Sequence, residues 1–486
     1  MMKILLSGLF LLFFSITVVN AQTRAKLFSI TKTESVFTEK SSPASIAEFM
    51  IEFASEAFTA PDVFEITFDE GKVHTASRLS KEFRAMDDVT WRGKILEGKF
   101  EGDVILTFLK GHVAGLIYTP DAVYEIIPRG QHHILAKLDQ SLFPECGGEI
   151  RSEEKQFDRP KNEAGPAVDS GDRIDVLVVY TTATKNFLGG DVQAQVLSQN
   201  AIDSTNTAYV NSRIRQRVRM VSAQEWVYTE TTSYSTDLSN LRNSATIQTT
   251  RNTVNADLVA AIGEISGACG VGYLMGSNPS GNPNNGFTVT ARSCAVGNLS
   301  FAHELGHNMG SQHNPENGSG ATFPYGYGHY ANGVFRTVMS YVDPCPNGCT
   351  RRAYFSNPFI AYQGIPTGLD NLRDNARSIN NTADAIANYR YSGSSILLQS
   401  YAAGGTVPRG IQRTVTWASN NIAGNVRIEL SRDLGLNWTT LVANTPNDGS
   451  EPITVWGQAS RRAWLRVVSV DNPNISDTST GSVSIR

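Results

Sequence analysis

Between residues 104 and 138 the apolar residues come in short blocks broken by turn residues. Val104-Ile105-Leu106-Thr107-Phe108-Leu109, the pair Lys110-Gly111 and then His112 to Tyr118 predict a hairpin. Val123–Ile127 and His133–Leu138 predict further strands, so residues 89–138 as a whole read as a β-meander, whereas residues 22–85 are weakly patterned. His132 and His133 are adjacent and point to opposite faces of a strand, which makes them ordinary strand residues. The pattern lapses from Arg151 to Asp172, a charged stretch with Pro160, Gly165, Pro166 and Gly171 that reads as an exposed, cleavable linker. The largely apolar run Ile174-Asp175-Val176-Leu177-Val178-Val179-Tyr180 then suits a central strand. Asp191–Val210 has helical spacing, with Val192, Val196 and Leu197 on one face. Ile214–Val221 and Leu258–Ile262 read as strands, and a helix is expected to start near Leu299. Leu372, Ile379, Ala383 and Ile386 predict a closing helix within Asn371–Tyr391. Strands alternating with helices predict an α/β sandwich.

From about Gly393 the pattern changes to short alternating strands: Thr414–Trp417, Val426–Leu430 and Trp464–Val470, with turn signals at Asn447-Asp448-Gly449 and Asp471-Asn472-Pro473. They predict a small antiparallel β-sandwich. Trp417, Trp438, Trp456 and Trp464 are expected mostly in its core, with stacking on sugars as the alternative.

Length and charge add limits. The chain has 486 residues, enough for about two to four domains. A net charge of −4 argues against a nucleic-acid partner. Lys3, the apolar run Ile4–Val19 and the small-residue site Val19-Asn20-Ala21 read as a secretory signal over residues 1–21. That run is short for a membrane span and no later run is long enough, so the mature chain is expected to be extracellular, soluble and monomeric. Export makes disulfides expected. Of five cysteines, Cys269, Cys294, Cys345 and Cys349 allow three pairings, of which Cys269–Cys294 with Cys345–Cys349 is preferred, and Cys146 is the odd one.

The chemistry is concentrated in His303-Glu304-Leu305-Gly306-His307-Asn308-Met309-Gly310-Ser311-Gln312-His313. On a helix His303 and His307 share a face one turn apart and can bind one metal ion, with Glu304 beside them. Gly310 lets the chain leave the helix in a left-handed conformation and bring His313 round as a third ligand. Three histidines leave a fourth tetrahedral position for water, the arrangement of a catalytic zinc and not of a closed structural one. A bare H-E-x-x-H would arise by chance in roughly one chain in fifty of this length, and the added Gly and His lower that to about one in tens of thousands. A helix of satisfied surface histidines is therefore the weaker reading.

With Met339 downstream in Thr337-Val338-Met339-Ser340-Tyr341, this motif resembles the metzincin metallopeptidases over about residues 173–391. Within them the chain is similar to the reprolysin-like group, and most to bacterial peptidyl-Asp metalloendopeptidases. The supporting stretches are Asp175–Thr181, Phe301-Ala302 and Tyr354-Phe355-Ser356-Asn357-Pro358. Residues 89–148 resemble the propeptide of such enzymes, and the C-terminal sandwich resembles immunoglobulin-like accessory modules. An acidic residue often follows the third histidine in this group, and Asn314 stands there instead.

The resemblance implies residues 22–172 as a mainly β propeptide domain with its linker. It implies a metzincin-type α/β catalytic domain over 173–392 and an immunoglobulin-like β-sandwich over 393–486. It implies one catalytic Zn2+ on His303, His307 and His313, with Glu304 as general base; Ca2+ is a further candidate ion whose site is not readable in the sequence. Met339 packs beneath the ligands, and Tyr341 resembles the tyrosine that some metzincins place near zinc, its plainer reading being a packed side chain. Cys146, in Pro144-Glu145-Cys146-Gly147-Gly148, is the candidate for a latency switch on the open metal position, the alternative being a buried free thiol. If aspartate is preferred on the leaving side of the bond, a cation must meet it, and Arg351 and Arg352 are the candidates, with Arg336, Arg373 and Arg377 less well placed. The expected activity is hydrolysis of protein or peptide substrates by a latent, secreted zinc endopeptidase, with a C-terminal domain that contacts substrate, glycan or cell surface. The alternatives are an inactive zinc-binding or adhesive module and a zinc amidase acting on non-protein substrates.

Overall fold

A computed structural model describes residues 23–32, 39–69, 71–151, 173–391, 393–479 and 481–486. The expected signal segment and all of the expected linker after Arg151 lie outside the described residues. The chain is a mixed, strand-rich α/β protein with few helices.

The N-terminal part is a ten-stranded sheet. Strands from Val63–Thr67 to His132–Leu138 follow one another as an antiparallel meander, including the Phe100–Leu109 and His112–Tyr118 hairpin across Lys110-Gly111. The weakly patterned first residues are also strands. Arg24–Lys26 pairs with Val63–Glu65 at one edge, and Phe28–Lys32 pairs with Met50–Phe53 at the other. One continuous segment thus touches both edges, so the sheet curls into a barrel-like shell around Phe28, Phe64 and Trp91. Part of each edge is thereby covered. His133 is buried and His132 exposed, as strand alternation requires.

The middle part is a six-stranded sheet in the order Glu149–Ile150, Gly270–Tyr273, Phe287–Ala291, Leu258–Gly263, Arg173–Thr181, Arg217–Trp226. Arg173–Thr181 is paired on both sides, which explains its unbroken apolar run. Its neighbour starts at Arg217 and runs to Trp226, later and longer than the apolar pattern indicates. Gly270–Tyr273 is antiparallel to its neighbour, and Glu149–Ile150 of the N-terminal part lies alongside it in parallel.

The helix Asp191–Asn211 lies between this sheet and the N-terminal sheet, which is why it is buried nearly all round. Its polar side chains are consumed there: Asp203, 1% exposed, accepts hydrogen bonds from Thr107 Oγ1 at 2.6 Å and Arg92 Nη2 at 3.1 Å. A periodicity reading sees only one apolar face, because the second buried face is polar and paired across the chain. One apolar cluster runs through both parts. The helix Asn375–Ile386 closes the middle part, starting at the Asp374 side-chain cap and not at Asn371.

The C-terminal residues form a three-stranded and a six-stranded sheet over a separate core containing Ile396, Trp417, Ile428 and Val467. Trp464 is buried against the Arg217 guanidinium, Trp438 stacks on Arg466, and Trp456 is exposed. No helix among the described residues is long and apolar enough to cross a membrane.

Candidate metal centre and active-site cleft

The helix Ser300–Asn308 carries His303, Glu304 and His307, all fully buried. It ends where Gly310 adopts φ +81°, with Gly310 N–H donating to the His307 carbonyl and Ser311 N–H to the Gly306 carbonyl. That pair of bonds is a Schellman stop, which satisfies the last carbonyls and reverses the chain. A Cβ at Gly310 would also lie 2.8 Å from Thr322 Oγ1. The reversal brings His313 Nε2 to 3.0 Å from His307 Nε2 and 3.2 Å from His303 Nε2.

Two of these nitrogens, on His303 and His307, are acceptors. His303 Nδ1 faces the Val338 carbonyl at 2.9 Å and His307 Nδ1 faces the Ser311 carbonyl at 3.1 Å, so each Nδ1 carries the proton and each Nε2 a lone pair. Burial, and then the neighbouring imidazoles, hold His303 and His313 well below the usual histidine range. Lone pairs this close repel unless a cation lies between them. Nitrogen ligands about 2.0–2.1 Å from a tetrahedral zinc are about 3.3 Å apart, so the donor set fits such an ion. The carbonyl partners are the kind of outer contact that orients metal-binding imidazoles.

A fourth donor converges on the same point. Cys146 Sγ lies 4.0 Å from His307 Nε2, and the four ligand atoms all lie within 4.8 Å of one another. Burial, and then the Glu304 carboxylate, push the thiol well above its ordinary range. A divalent cation would reverse that balance by pairing the thiolate.

Glu304 is 0% exposed, and neither carboxyl oxygen has a hydrogen-bond partner. Burial pushes its carboxyl up to about 8, opposed by the nearby Cys146 thiol and Arg351. An orphaned acid of this kind is costly unless a cation and a water meet it, so it too fits an ion at the histidines. Space for it comes from the strand Gly270–Tyr273. A Cβ at Gly270 would lie 2.6 Å from Glu304 Oε1, and one at Gly272 would lie 3.0 Å from the Glu304 carbonyl oxygen. Gly306 is similarly required, since a Cβ there would meet Met339 Sδ at 2.6 Å; Met339 is fully buried beneath the helix.

Tyr341 places its ring centroid 4.3 Å from that of His313, and its hydroxyl donates to the Cys146 carbonyl at 3.2 Å. Burial, with the Cys146 and Glu304 charges adding to it, raises its hydroxyl above the usual range. Asn314 Oδ1 accepts the Tyr341 N–H at 3.0 Å and so ties the third histidine to the turn after Met339.

Arg351 and Arg352 diverge. Arg351 is 2% exposed and donates to the Asn298 carbonyl at 2.9 Å and the Ser340 carbonyl at 3.0 Å. Arg352 points away, among the rings of Phe100, Tyr118 and Tyr362 at 5.1–5.4 Å. Arg336 joins Arg351 instead, donating to the same Ser340 carbonyl at 2.9 Å. The two preferred disulfides are present: Cys269–Cys294 links the start of the strand Gly270–Tyr273 to the short helix Arg292–Ala295, and Cys345–Cys349 closes a loop after Met339. Cys146 is the free cysteine.

The sequence pattern does not mark the Val338 and Ser311 carbonyls, Gly270, Gly272 or Gly306, and it ranks Arg336 below Arg352, whereas Arg336 is the arginine found beside Arg351. Carbonyls carry no residue signal. The glycines had one, a Gly-x-Gly beside Cys269, and it acquires meaning only once Glu304 is placed against that strand.

A sequence profile described as Metallo-peptidase family M12 (Reprolysin_5) matches residues 170–356. The chain is 32% identical over 302 residues to a peptidyl-Asp metalloendopeptidase of Stenotrophomonas maltophilia strain R551-3, covering 59% of this chain and 70% of that one. A protein of the same name from strain K279a is 33% identical over 293 residues, covering 57% and 68%. One from Xanthomonas campestris pv. campestris is 32% identical over 289 residues, covering 57% and 67%.

Proposed function

Because this chain belongs to metallopeptidase family M12 and is a zinc metalloendopeptidase, we propose that it is exported as a latent precursor and cuts peptide bonds before aspartate. The single observation that carries the mechanism is the convergence of three imidazole Nε2 atoms beside the unpartnered carboxylate of Glu304.

His303, His307 and His313 would hold the metal through Nε2. Zinc, when bound, supplies the Lewis acidity that activates the attacking water and polarises the scissile carbonyl. Glu304 accepts the proton of that water on a carboxylate oxygen and delivers it to the leaving nitrogen. Binding of the cation favours its ionised form, which burial alone opposes. Gly270 and Gly272 leave the carboxylate room, and Met339 supports the helix from below. Tyr341 orients backbone at the cleft through its hydroxyl, the role its bond to the Cys146 carbonyl models.

Residues 1–21 act as the export signal, and residues 22–172 as propeptide and linker. Residues 173–392 form the metzincin-type peptidase domain, and residues 393–486 an immunoglobulin-like accessory module. Cys146 closes the open side of the histidine cluster until cleavage within residues 152–172 and would there be a fourth, thiolate ligand to a bound ion, which supports latency by keeping water from it. The aspartate preference is supported by the names of the relatives and by the buried cation Arg351 near the histidines.

The test digests a proteome-derived peptide mixture with the processed protein, with and without a chelator, and maps the cuts. Chelator-sensitive cutting enriched before aspartate is expected. Cutting that ignores the chelator would remove the zinc mechanism, and cuts spread over apolar residues would remove the aspartate preference alone.

A further inference from the structure

The segment Pro144–Ile150 is laid along the active-site edge strand as an extra strand. Cys269 N–H donates to the Glu145 carbonyl at 3.0 Å, Gly147 N–H to the Gly270 carbonyl at 2.8 Å, and Leu274 N–H to the Ile150 carbonyl at 3.0 Å. This is β-augmentation, in which main-chain bonds give affinity and side-chain pockets give specificity. Cys146 turns to the histidines, and the adjacent side chain, Glu145, goes elsewhere. Its Oε1 accepts the Val342 N–H at 3.0 Å, on the strip that follows Met339.

Two buried guanidiniums hang from that same strip. Arg336 and Arg351 are 1% and 2% exposed, and both donate to the Ser340 carbonyl, two residues before Val342. Neither forms an ion pair with a described carboxylate, and the Nε of each has no partner. Their other bonds go to Asn298, to its carbonyl from Arg351 and to its Oδ1 from Arg336. Two cations buried side by side repel and pay a desolvation cost that neutral acceptors offset only in part. Such a pair calls for an anion, and a guanidinium pair suits a carboxylate. Glu145 is the carboxylate whose charge most favours the ionised form of both. The uncut chain also braces the pocket from the turn after the last strand of the meander, where Gln140 Oε1 accepts the Arg351 backbone N–H at 2.7 Å and Gln140 Nε2 donates to the Gly297 carbonyl at 2.8 Å.

We propose that Arg336 and Arg351 form the cationic subsite for an acidic side chain of the substrate, and that Glu145, held on the same strip by the Val342 N–H and paired with neither guanidinium, covers it in the uncut chain as a stand-in. The inference rests on the aspartate preference proposed above and assigns the residues behind it. Latency then has two plugs on one strand: Cys146 at the metal position and Glu145 at the specificity pocket. Each excludes a different part of a substrate. An acidic substrate competes with Glu145 for the same cations once the linker is cut.

The test uses processed enzyme made from the full chain and a fluorescent peptide spanning Phe143–Ile150, beside the same peptide with Glu145→Gln. Cut sites are mapped on the same preparation. Binding is read by anisotropy, so the result does not depend on turnover. The substitution is expected to weaken binding about 10–100-fold, the scale of a lost charge-assisted hydrogen bond. That difference should shrink to a few-fold in Arg351→Met or Arg336→Met enzyme. If a buried arginine variant fails to fold, the two peptides on wild-type enzyme still decide the matter. Enrichment of aspartate with equal binding of both peptides would overturn this inference and leave the aspartate preference standing. Absence of any acidic enrichment would overturn the preference itself, and the pocket with it.

Discussion

Glu125 is a buried acid at the seam between the N-terminal sheet and the peptidase part, and it makes that seam sensitive to pH. It is 2% exposed, and one of its oxygens has no hydrogen-bond partner. A Cβ at Gly297 would lie 2.4 Å from that oxygen, so the carboxyl is pressed against the turn before the histidine helix. Burial pushes it up to about 8; Arg292 and the Gly297 backbone oppose this, and Glu48 adds to it. Once the seam opens, the carboxyl returns towards its ordinary value of 4.5. The raised value means that the neutral form fits the seam. The contribution is therefore complete below about pH 4.5, is lost progressively as pH rises, and is gone above about 8. Between pH 5 and pH 7.5 each pH unit costs about 1.4 kcal/mol, so the seam weakens by about 3 kcal/mol, roughly 100-fold in Kd. The assay cuts the chain within residues 152–172 and measures the Kd of the two fragments by analytical ultracentrifugation across that range. Glu125→Gln keeps the shape and removes the titration. Wild type should lose about 100-fold in affinity relative to this variant between pH 5 and pH 7.5. Parallel pH profiles for the two proteins would refute the reasoning.

Three further outcomes are expected. Uncut Cys146→Ala protein should hydrolyse peptide at least about 10-fold faster than uncut wild type, because the fourth metal position is then open; equal latency would remove the thiol from the account. Gly270→Ala should lower kcat by about 10² with zinc content unchanged, since the new methyl displaces Glu304, and unchanged kcat would mean that the carboxylate is not held by that strand. Gly310→Ala, which puts a side chain at φ +81° beside Thr322, should cost about 1–3 kcal/mol and weaken zinc retention in a chelator competition; wild-type retention would contradict the turn's role in placing His313.

Much of this architecture is legible in the residue pattern because it is local. Lys110-Gly111 between two apolar runs marks a hairpin, and Arg173–Thr181 reads as central because both its neighbours are strands. The spacing of His303, His307 and Gly310 makes the convergence of three imidazoles a local geometric consequence. What was illegible depends on distant partners. The first strands look unpatterned because Arg24–Lys32 is shared between two edges of a curled sheet. The polar face of Asp191–Asn211 looks solvated, yet Asp203 is satisfied by Thr107 and Arg92 from the other sheet. Arg336 gave no sign of belonging with Arg351, because both are gathered by a carbonyl, at Ser340. The Cys345–Cys349 loop was the preferred one of three pairings left open by the sequence, whereas the placement of Glu145 on the strip before it left no mark there.

The central claim is that Glu304 moves the proton in a site whose metal is held by the three histidines. The direct measurement is kcat together with zinc content for processed Glu304→Gln protein. Gln keeps the size of the side chain and cannot accept the proton. The account predicts zinc bound as in wild type and a kcat lower by about 10²–10⁴. Near-normal turnover at full zinc occupancy would contradict it.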